Sequence, residues 1–359
     1  MKHSSTNARN AVSSLIDKHK FPWKWNLSDL EKVDKNGLRV FSCFSCGGGS
    51  TMGYKLAGYE MLGNCEIDPA MMKIYRQNHH PKYSFLHDIR DLITMEDIPE
   101  ELFHLDILDG SPPCSVFSMA GHREEGWNKE KVFREGQKSQ RLDDLFFAFI
   151  DVAKRLQPKV IVAENVKGLV IGNAKGYVND IVKAYDDAGY KVQIFLLNSA
   201  LMGVPQARER VFFIANRKDM DFPKLKLSFN EKPIVFGEVR SPEGETINSK
   251  SVSYELLKHR RPGDNTLEDI NKRLRGKAIG FTMYILSDNK VAPTLTSGGA
   301  NFRMYDGMGL SDRDFMNIQS FPQDYDFMDQ DPKYVCGMSV PPVMMAQISS
   351  QIWEQWFNG

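Results

Sequence analysis

The chain has 359 residues, with 46 Lys and Arg against 46 Asp and Glu, so its formal net charge is zero. The proportions of 42% hydrophobic and 26% charged residues are those of a globular protein, which excludes a disordered or fibrous chain. Zero net charge excludes a histone-like polycation. It leaves nucleic acid open as a ligand, because binding needs only a local basic face.

Three features bear on the compartment of the protein. No run of about 18 apolar residues predicts a membrane span. The polar segment 1–10 is unlike a secretory signal. Five cysteines, an odd number in a long chain, favour reduced thiols. We therefore expect a cytoplasmic protein with no membrane partner.

Apolar runs alternate with helical periodicity between residues 38 and 216. Strands are predicted over 38–44, 61–66, 105–108, 160–163, 191–197 and 211–215. Helices are predicted after Ser50 as far as Gly58, over 70–78, over 142–156 and after Asn165 as far as Gly189, with a last one over 340–356. Alternating strands and helices predict an α/β fold with a doubly wound, mostly parallel sheet covered on both faces.

The composition changes along the chain and predicts four regions. Residues 1–36 form an N-terminal extension, and 37–216 form the large domain. Residues 217–302 predict a smaller domain with a basic tilt, since 217–300 holds 15 Lys and Arg against 11 Asp and Glu. Residues 303–359 are expected to return to the large domain.

The glycine run at 47–49 follows a strand and precedes a helix, which is typical of a ligand-binding turn. The run departs from the dinucleotide pattern G-x-G-x-x-G, since Met52 takes the last glycine position. It also departs from the P-loop pattern, since Tyr54 follows Gly53. Glu66 closes the next strand, where an acid can hold ribose hydroxyls. A tight turn beside a surface Glu is the alternative.

A thiol and a carboxyl follow two further predicted strands. Cys114 ends the sequence Gly110-Ser-Pro-Pro-Cys, in which two prolines fix the backbone that presents a nucleophilic side chain. Glu164-Asn165 follows another strand, and the ends of parallel strands meet at one edge of a sheet. Glu164 is therefore a candidate proton donor near Cys114. A small buried cysteine is the alternative for Cys114.

Arg208 and Arg210 lie on the same face if their segment is extended, and they suit a phosphate or a carbonyl oxygen. A solvated arginine pair is the alternative. Cys43-x-x-Cys46 has no second cysteine pair, so we expect no metal site.

Methylation of cytosine at carbon 5 needs this set of groups. Carbon 5 becomes nucleophilic when a thiolate adds to carbon 6 and N3 receives a proton, and it can then attack the methyl group of S-adenosylmethionine. Methylation of an amino group needs no such thiol.

The order of motifs over about 40–352 resembles the DNA (cytosine-5-)-methyltransferases. The resembling segments are Phe44 to Gly49, Glu66-Ile-Asp68, His87 to Asp91, Gly110 to Ser118, Asp144-Leu-Phe146, Glu164-Asn-Val166, Gly203 to Arg210, Arg303 to Pro322 and Gly337 to Pro341. The resemblance implies a Rossmann-like S-adenosylmethionine-dependent methyltransferase fold with a target-recognition region in residues 217–302. The catalytic residues it implies are Cys114, Glu164, Arg208 and Arg210. The cofactor-binding residues it implies are Phe44, Ser45, Cys46, Gly47, Gly48, Gly49, Glu66, Ile67, Asp88, Ile89, Gly110, Pro112, Leu145, Ser339 and Val340.

The resemblance also implies double-stranded DNA as partner, with a target cytosine flipped out of the duplex. The DNA-binding residues it implies are Ser118, Asn165, Gln206, Thr294 and Arg303. It implies a nucleoid-associated enzyme of a bacterium or a phage-infected cell, with or without a cognate restriction endonuclease.

Four positions depart from the family pattern. Ser42 replaces the usual Asp, Cys46 a Gly, Ser115 a Gln and Met338 an Asn. A tRNA cytosine-5 methyltransferase and a catalytically impaired DNA-binding homologue remain as alternatives. A Rossmann oxidoreductase is disfavoured by the glycine pattern.

Overall fold

A computed structural model describes residues 19–113, 130–131, 140–141, 144–171, 175–278, 280 and 283–358. The chain divides into two compact units. The sheet unit comprises Ser28–Asn198, Glu209–Ser228 and Met345–Gly359; the second unit comprises Met1–Leu27, Ser199–Arg208 and Phe229–Met344. The predicted regions 1–36, 37–216, 217–302 and 303–359 stay predictions.

Most strands are short, and the longest belong to one sheet. The strands are β1 Arg39–Cys43, β2 Glu60–Cys65, β3 Tyr83–Phe85, β4 Ile107–Gly110, β5 Glu130–Lys131, β6 Gln140–Arg141, β7 Val160–Val166, β8 Tyr190–Asn198, β9 Gln206–Ala207, β10 Glu209–Arg217, β11 Ile285–Leu286, β12 Ala292–Pro293 and β13 Phe302–Arg303.

The helices of the described residues follow the same chain order. They are α1 Gly49–Leu56, α2 Pro69–His79, α3 Asp91–Thr94, α4 Leu145–Leu156, α5 Lys175–Asp187, α6 Phe236–Val239, α7 Val252–Leu257, α8 Leu267–Arg275, α9 Asp312–Ile318, α10 Pro332–Met338 and α11 Pro342–Ile352. Single 3-10 turns lie at Leu27–Lys32, Glu100–His104, Lys167–Val170 and Ser199–Leu201, and a π turn at Trp353–Phe357.

The sheet unit is built on a seven-stranded sheet with the order β3-β2-β1-β4-β7-β10-β8. In this order the first five strands run parallel to one another; they are β3, β2, β1, β4 and β7. Strand β10 runs antiparallel to both β7 and β8. The predicted α/β class with a doubly wound, mostly parallel sheet is confirmed, and β10, between β7 and the edge strand β8, is its antiparallel strand.

Local sequence explains the elements that reach the site. Strand β7 is buried from Val160 to Asn165, as expected for a central strand covered on both faces. Helix α2 starts at Pro69 after Asp68, whose carboxylate accepts the amides of Ala70 and Met71. The Asp68 cap therefore fixes the residue at which α2 begins.

Helix α4 covers one face of the sheet with aromatic side chains. The ring of Phe146 lies 5.2 Å from that of Phe213 on β10, and Phe149 packs in the same core as Phe41 on β1. The helix ends where Gln157 takes a left-handed backbone before Pro158. This core holds the carboxyl ends of β1, β4 and β7 together.

The second unit has a smaller core of its own. Helices α7 and α8 contribute Leu256, Leu267 and Ile270, which pack with Ile285 and Phe302. Strands β11 and β13 pair in parallel, as do β9 and β12. The unit therefore has a small core held by short elements.

Candidate functional site

The glycine turn, residues 44–48, joins β1 to α1 through a sharply bent backbone. Phe44, Cys46 and Gly48 have positive φ values of 54°, 47° and 83°. The turn is closed by the amide of Gly48, which donates to the carbonyl of Ser45 at 2.8 Å. Helix α1 begins immediately afterwards, so its free amides point toward this turn.

His79 lies directly beneath the glycine turn. Its Nε2 lies 3.2 Å from the carbonyl oxygen of Gly47. A Cβ atom at Gly48 would lie 2.1 Å from the same Nε2, so no larger residue fits there without movement of the ring. Burial lowers the pKa of His79 to about 3, so the imidazole is neutral at physiological pH.

Glu66 links the end of β2 to the glycine turn. One carboxylate oxygen accepts the amide of Cys46 at 2.8 Å, and the other accepts the amides of Ile67 and Asp68. Burial raises the pKa of Glu66, and these three hydrogen bonds oppose the rise. The predicted ribose-binding acid and the predicted glycine turn are thus neighbours.

Three of the predicted cofactor-binding residues are Asp88, Ile89 and Leu145, the last of which begins α4. Asp88 accepts the backbone amide and the guanidinium of Arg90, each at 2.9 Å. Arg90 also pairs with Asp144, which precedes α4. Ile89 and Leu145 are buried in the core, so their side chains pack instead of facing open solvent.

The segment after β4 contacts the end of β7, and the last residue of β4 packs on α4. The side-chain amide of Asn165 donates to the carbonyl of Pro112 at 3.0 Å in a buried position. Gly110 packs so closely on Phe149 that an added Cβ would lie 2.5 Å from its ring. The segment that leads to residue 114 is therefore tied to the Glu164-Asn165 motif.

Glu164 and Arg210 form a largely buried ion pair across β7 and β10. The Nε of Arg210 lies 2.9 Å from the Glu164 carboxylate, with 14% and 11% of the two side chains exposed. Arg210 also donates to the carbonyl of Glu209 at 2.8 Å. The pair places an acid and its counter-charge at the carboxyl end of β7.

Arg208 and Arg210 belong to different units. Arg208 is buried in the second unit, and its guanidinium donates to the carbonyls of Leu295 and Gly337 at 3.1 and 3.0 Å. Arg210 lies in the sheet unit at the Glu164 pair. The structure therefore gives the two arginines different partners.

The other predicted residues of the second unit are mostly buried. Gln206 bonds the side chain of Gln319 and the amide of Leu295. Thr294 donates to the carbonyl of Ala207 at 2.9 Å. The predicted DNA contacts of Gln206 and Thr294 stay predictions.

Arg303, also predicted to touch DNA, is completely buried. Its guanidinium lies 2.8 Å from the carboxylate of Asp306 and 3.6 Å from that of Asp314. Ser339 and Val340, predicted to touch the cofactor, are buried at the end of α10, where the Ser339 hydroxyl donates to the carbonyl of Val335. Their predicted roles are likewise untested.

Cys114 and Ser118 lie outside the described residues, so the predicted nucleophile and one predicted DNA contact have no described geometry. The described part of the chain holds no group of three or more His, Cys, Asp and Glu side chains that could bind a metal. No described helix is long and apolar enough to cross a membrane.

Sequence reasoning missed a buried acid beside this site. Asp109, next to Gly110 on β4, accepts the hydroxyl of Ser42 at 2.7 Å and that of Tyr54 at 3.3 Å. The one signal in the sequence was Ser42 itself, which stands where the family resemblance predicts an aspartate. His79 was missed too, because a helical histidine gives no sign of what it packs against.

Comparison with known proteins identifies the family. Residues 38–354 match the model of the C-5 cytosine-specific DNA methylases. The chain belongs to this family. The matched range includes every described candidate site residue. The match confirms the predicted family and the prediction that the chain is an enzyme of this class.

Curated relatives agree over most of the chain. A type II methyltransferase of Neisseria gonorrhoeae, M.NgoPII, is 28% identical over 88% of this chain and 96% of its own. The type II methyltransferase M1.HphI of Haemophilus parahaemolyticus is 30% identical over 89% of this chain and 88% of its own. Among solved structures, a DNMT2 mutant of Spodoptera frugiperda superposes with a TM-score of 0.61 at 15% identity. It covers 88% of this chain and 100% of its own, and shows the shared fold.

Proposed function

We propose that this chain transfers a methyl group from S-adenosylmethionine to carbon 5 of a cytosine that is flipped out of double-stranded DNA. The observation that carries the proposal is the hydrogen bond between Asn165 and Pro112. It holds the start of the predicted nucleophile loop against the strand that bears Glu164. Cys114 follows Pro112 by two residues in the sequence, and Glu164 with its partner Arg210 lies beside Asn165.

The cofactor assignment rests on the charge of the site. The residues around the glycine turn supply carboxylates, Glu66 and Asp109, and no lysine of a phosphate-binding pattern. Carboxylates accept ribose hydroxyls and favour a cationic ligand, whereas they repel a polyphosphate. S-adenosylmethionine carries a sulfonium and supplies, when bound, an electrophilic methyl group. Phe44, Ser45 and Gly47–Gly49 would hold it at the glycine turn.

The catalytic roles follow from the needs of the pyrimidine ring. The Cys114 thiolate forms a bond to carbon 6, and the Glu164 carboxyl gives a proton to N3, which makes carbon 5 nucleophilic. Methyl transfer would release S-adenosylhomocysteine. A general base would then remove the carbon-5 proton, the thiolate would leave carbon 6, and N3 would return its proton to the Glu164 carboxylate. Arg210 holds the Glu164 carboxyl in place through their ion pair. It is near enough to that carboxyl to contact the same cytosine. A catalytic role for Arg208 stays a prediction from the family resemblance.

Base flipping supplies access to the ring, at a cost of a few kcal/mol. Ser118 and Asn165 are assigned to the flipped base and its strand. Gln206, Thr294 and Arg303 are assigned to DNA from the second unit, where two of the three are fully buried and would act by shaping the surface. Relatives named type II methyltransferases favour a defined target sequence, with or without a partner endonuclease.

Covalent trapping tests the reaction. A duplex carrying 5-fluorocytosine at the target and S-adenosylmethionine should give a denaturant-resistant adduct, because fluorine blocks loss of the carbon-5 substituent. Cys114→Ala should give none, and Glu164→Gln should form it far more slowly. Bisulphite sequencing of DNA from an expressing host supplies the target sequence. An adduct that survives Cys114→Ala, or DNA without modified cytosine, would refute the proposal.

A further inference from the structure

Asp109 is a carboxylic acid buried at the point where two functional loops begin. Its side chain is 2% exposed. It pairs in register with Ser42 on the neighbouring strand β1, and both positions lie just before the end of their strands. The glycine turn follows β1 and the nucleophile loop follows β4, so Asp109 lies at the base of both.

The carboxyl is held by hydroxyl groups. Ser42 donates to one oxygen at 2.7 Å and Tyr54 on α1 donates to the other at 3.3 Å. Tyr54 is fully buried, so water is kept from that side. Two neutral donors stabilise a carboxylate less than a cation would, and its burial costs free energy.

The charged and titratable groups that face Asp109 are acids. They are Cys43 on β1, Tyr54 on α1, Tyr75 on α2 and Glu164 on β7. Within the described residues, no lysine, arginine or histidine pairs with Asp109. The guanidinium of Arg210 is paired with the Glu164 carboxylate, so it does not neutralise Asp109.

The position of the acid has a counterpart in the sequence. The family resemblance predicts an aspartate at position 42, and this chain has Ser42 there. The register partner of Ser42 is Asp109, so the sheet carries one carboxyl at this level, on β4 instead of β1. At either position, the carboxyl lies beside the ends of both β1 and β4.

We propose that Asp109 is the negative charge that offsets the cationic cofactor, and that cofactor binding drives its ionisation. The proton of the neutral acid passes to solvent, and the carboxylate remains beneath the bound cation. This inference rests on the proposed function, since that function supplies S-adenosylmethionine as the ligand.

Proton linkage predicts how many protons binding releases and how the affinity for S-adenosylmethionine changes with pH. Burial raises the pKa of Asp109 to about 7, with the Ser42 and Tyr54 hydrogen bonds opposing the rise and Glu164 adding to it. A bound cation lowers that pKa, so binding releases about half a proton at pH 7 and about 0.9 at pH 6. The dissociation constant should fall about tenfold from pH 6 to pH 8.

Isothermal titration calorimetry measures the released proton directly. The full chain is titrated with S-adenosylmethionine at pH 6, 7 and 8 in buffers of different ionisation enthalpy. Asp109→Asn keeps the shape and can still accept from Ser42, and it should abolish both the release and the pH dependence. Asp106→Asn is the matched control at the start of β4, where the acid already pairs with Lys159 at 2.7 Å; it should leave the release unchanged.

An analogue without the sulfonium charge and a double variant that moves the carboxyl provide two further tests. S-adenosylhomocysteine lacks the sulfonium charge, so Asp109→Asn should weaken it less than S-adenosylmethionine. The swap Ser42→Asp with Asp109→Ser should restore proton release. Binding by the wild-type chain without release, or release that persists in Asp109→Asn, would overturn the inference and leave the proposed function standing. Absence of any binding would overturn both.

Discussion

Removal of one partner of the buried Glu164–Arg210 pair is expected to cost far more stability than removal of one partner of the exposed neighbouring pair. Its charge centres lie about 4 Å apart, which corresponds to about 4 kcal/mol at an effective dielectric constant of about 20. The pair is 14% and 11% exposed, so water reaches it only slightly. Arg210→Met leaves a buried carboxylate unpaired and should lower the free energy of unfolding by about 3 kcal/mol.

The ion pair of Glu209, the residue before Arg210 on β10, provides the control. Glu209 pairs with Lys167 at 2.7 Å, but these side chains are 42% and 39% exposed. Lys167→Met should therefore cost less than about 1 kcal/mol. Urea denaturation of each variant, followed by circular dichroism, compares the two losses.

A double variant separates charge burial from general damage. Glu164→Gln with Arg210→Met removes both charges, so it should recover much of the loss seen in Arg210→Met alone. Equal losses in Arg210→Met and Lys167→Met, or strict additivity in the double variant, would refute the reasoning.

Three further variants probe the cofactor turn and the second unit. Cys46→Gly relieves a residue held at φ 47°, which should raise stability by about 0.5 kcal/mol after the added chain entropy is subtracted; a lower melting temperature would contradict this. Glu66→Gln cannot accept all three backbone amides and should raise the cofactor dissociation constant about tenfold by calorimetry, with an unchanged value as the contrary result. Tyr305 is 68% exposed with the guanidinium of Arg240 4.2 Å from its ring centre, so Tyr305→Ala should weaken duplex binding about tenfold in fluorescence anisotropy. Unaltered anisotropy would remove Tyr305 from the DNA surface.

Hydrophobic periodicity predicted the parallel core of the sheet because central strands are continuous apolar runs. It missed β3, whose three residues Tyr83–Phe85 are too few for a pattern and are only half-buried. It also left open which strand of the mostly parallel sheet runs antiparallel, and that strand is β10. Segment 199–208 between β8 and β10 holds a 3-10 turn and a two-residue strand, so it is too short for a crossover helix, and the strands pair antiparallel.

Motif order predicted which loops meet at the sheet edge, but not the environment of each side chain. Glu66 and Glu164 lie at strand ends, as expected. Arg303 gave no sign in the sequence of being buried, because its acid partners Asp306 and Asp314 are recognised only after folding. Asp109 was missed because its significance depends on the register between two strands that are far apart in sequence.

The contact between Gly48 and His79 restricts how this chain can diverge. A side chain at position 48 is excluded for as long as an imidazole fills the space below it. Alanine at position 48 therefore requires a smaller residue at position 79 or movement of the ring, and it also has to adopt a φ of 83°. Two independent penalties at one position predict that glycine persists there across homologous lineages, and that its loss accompanies loss of the histidine.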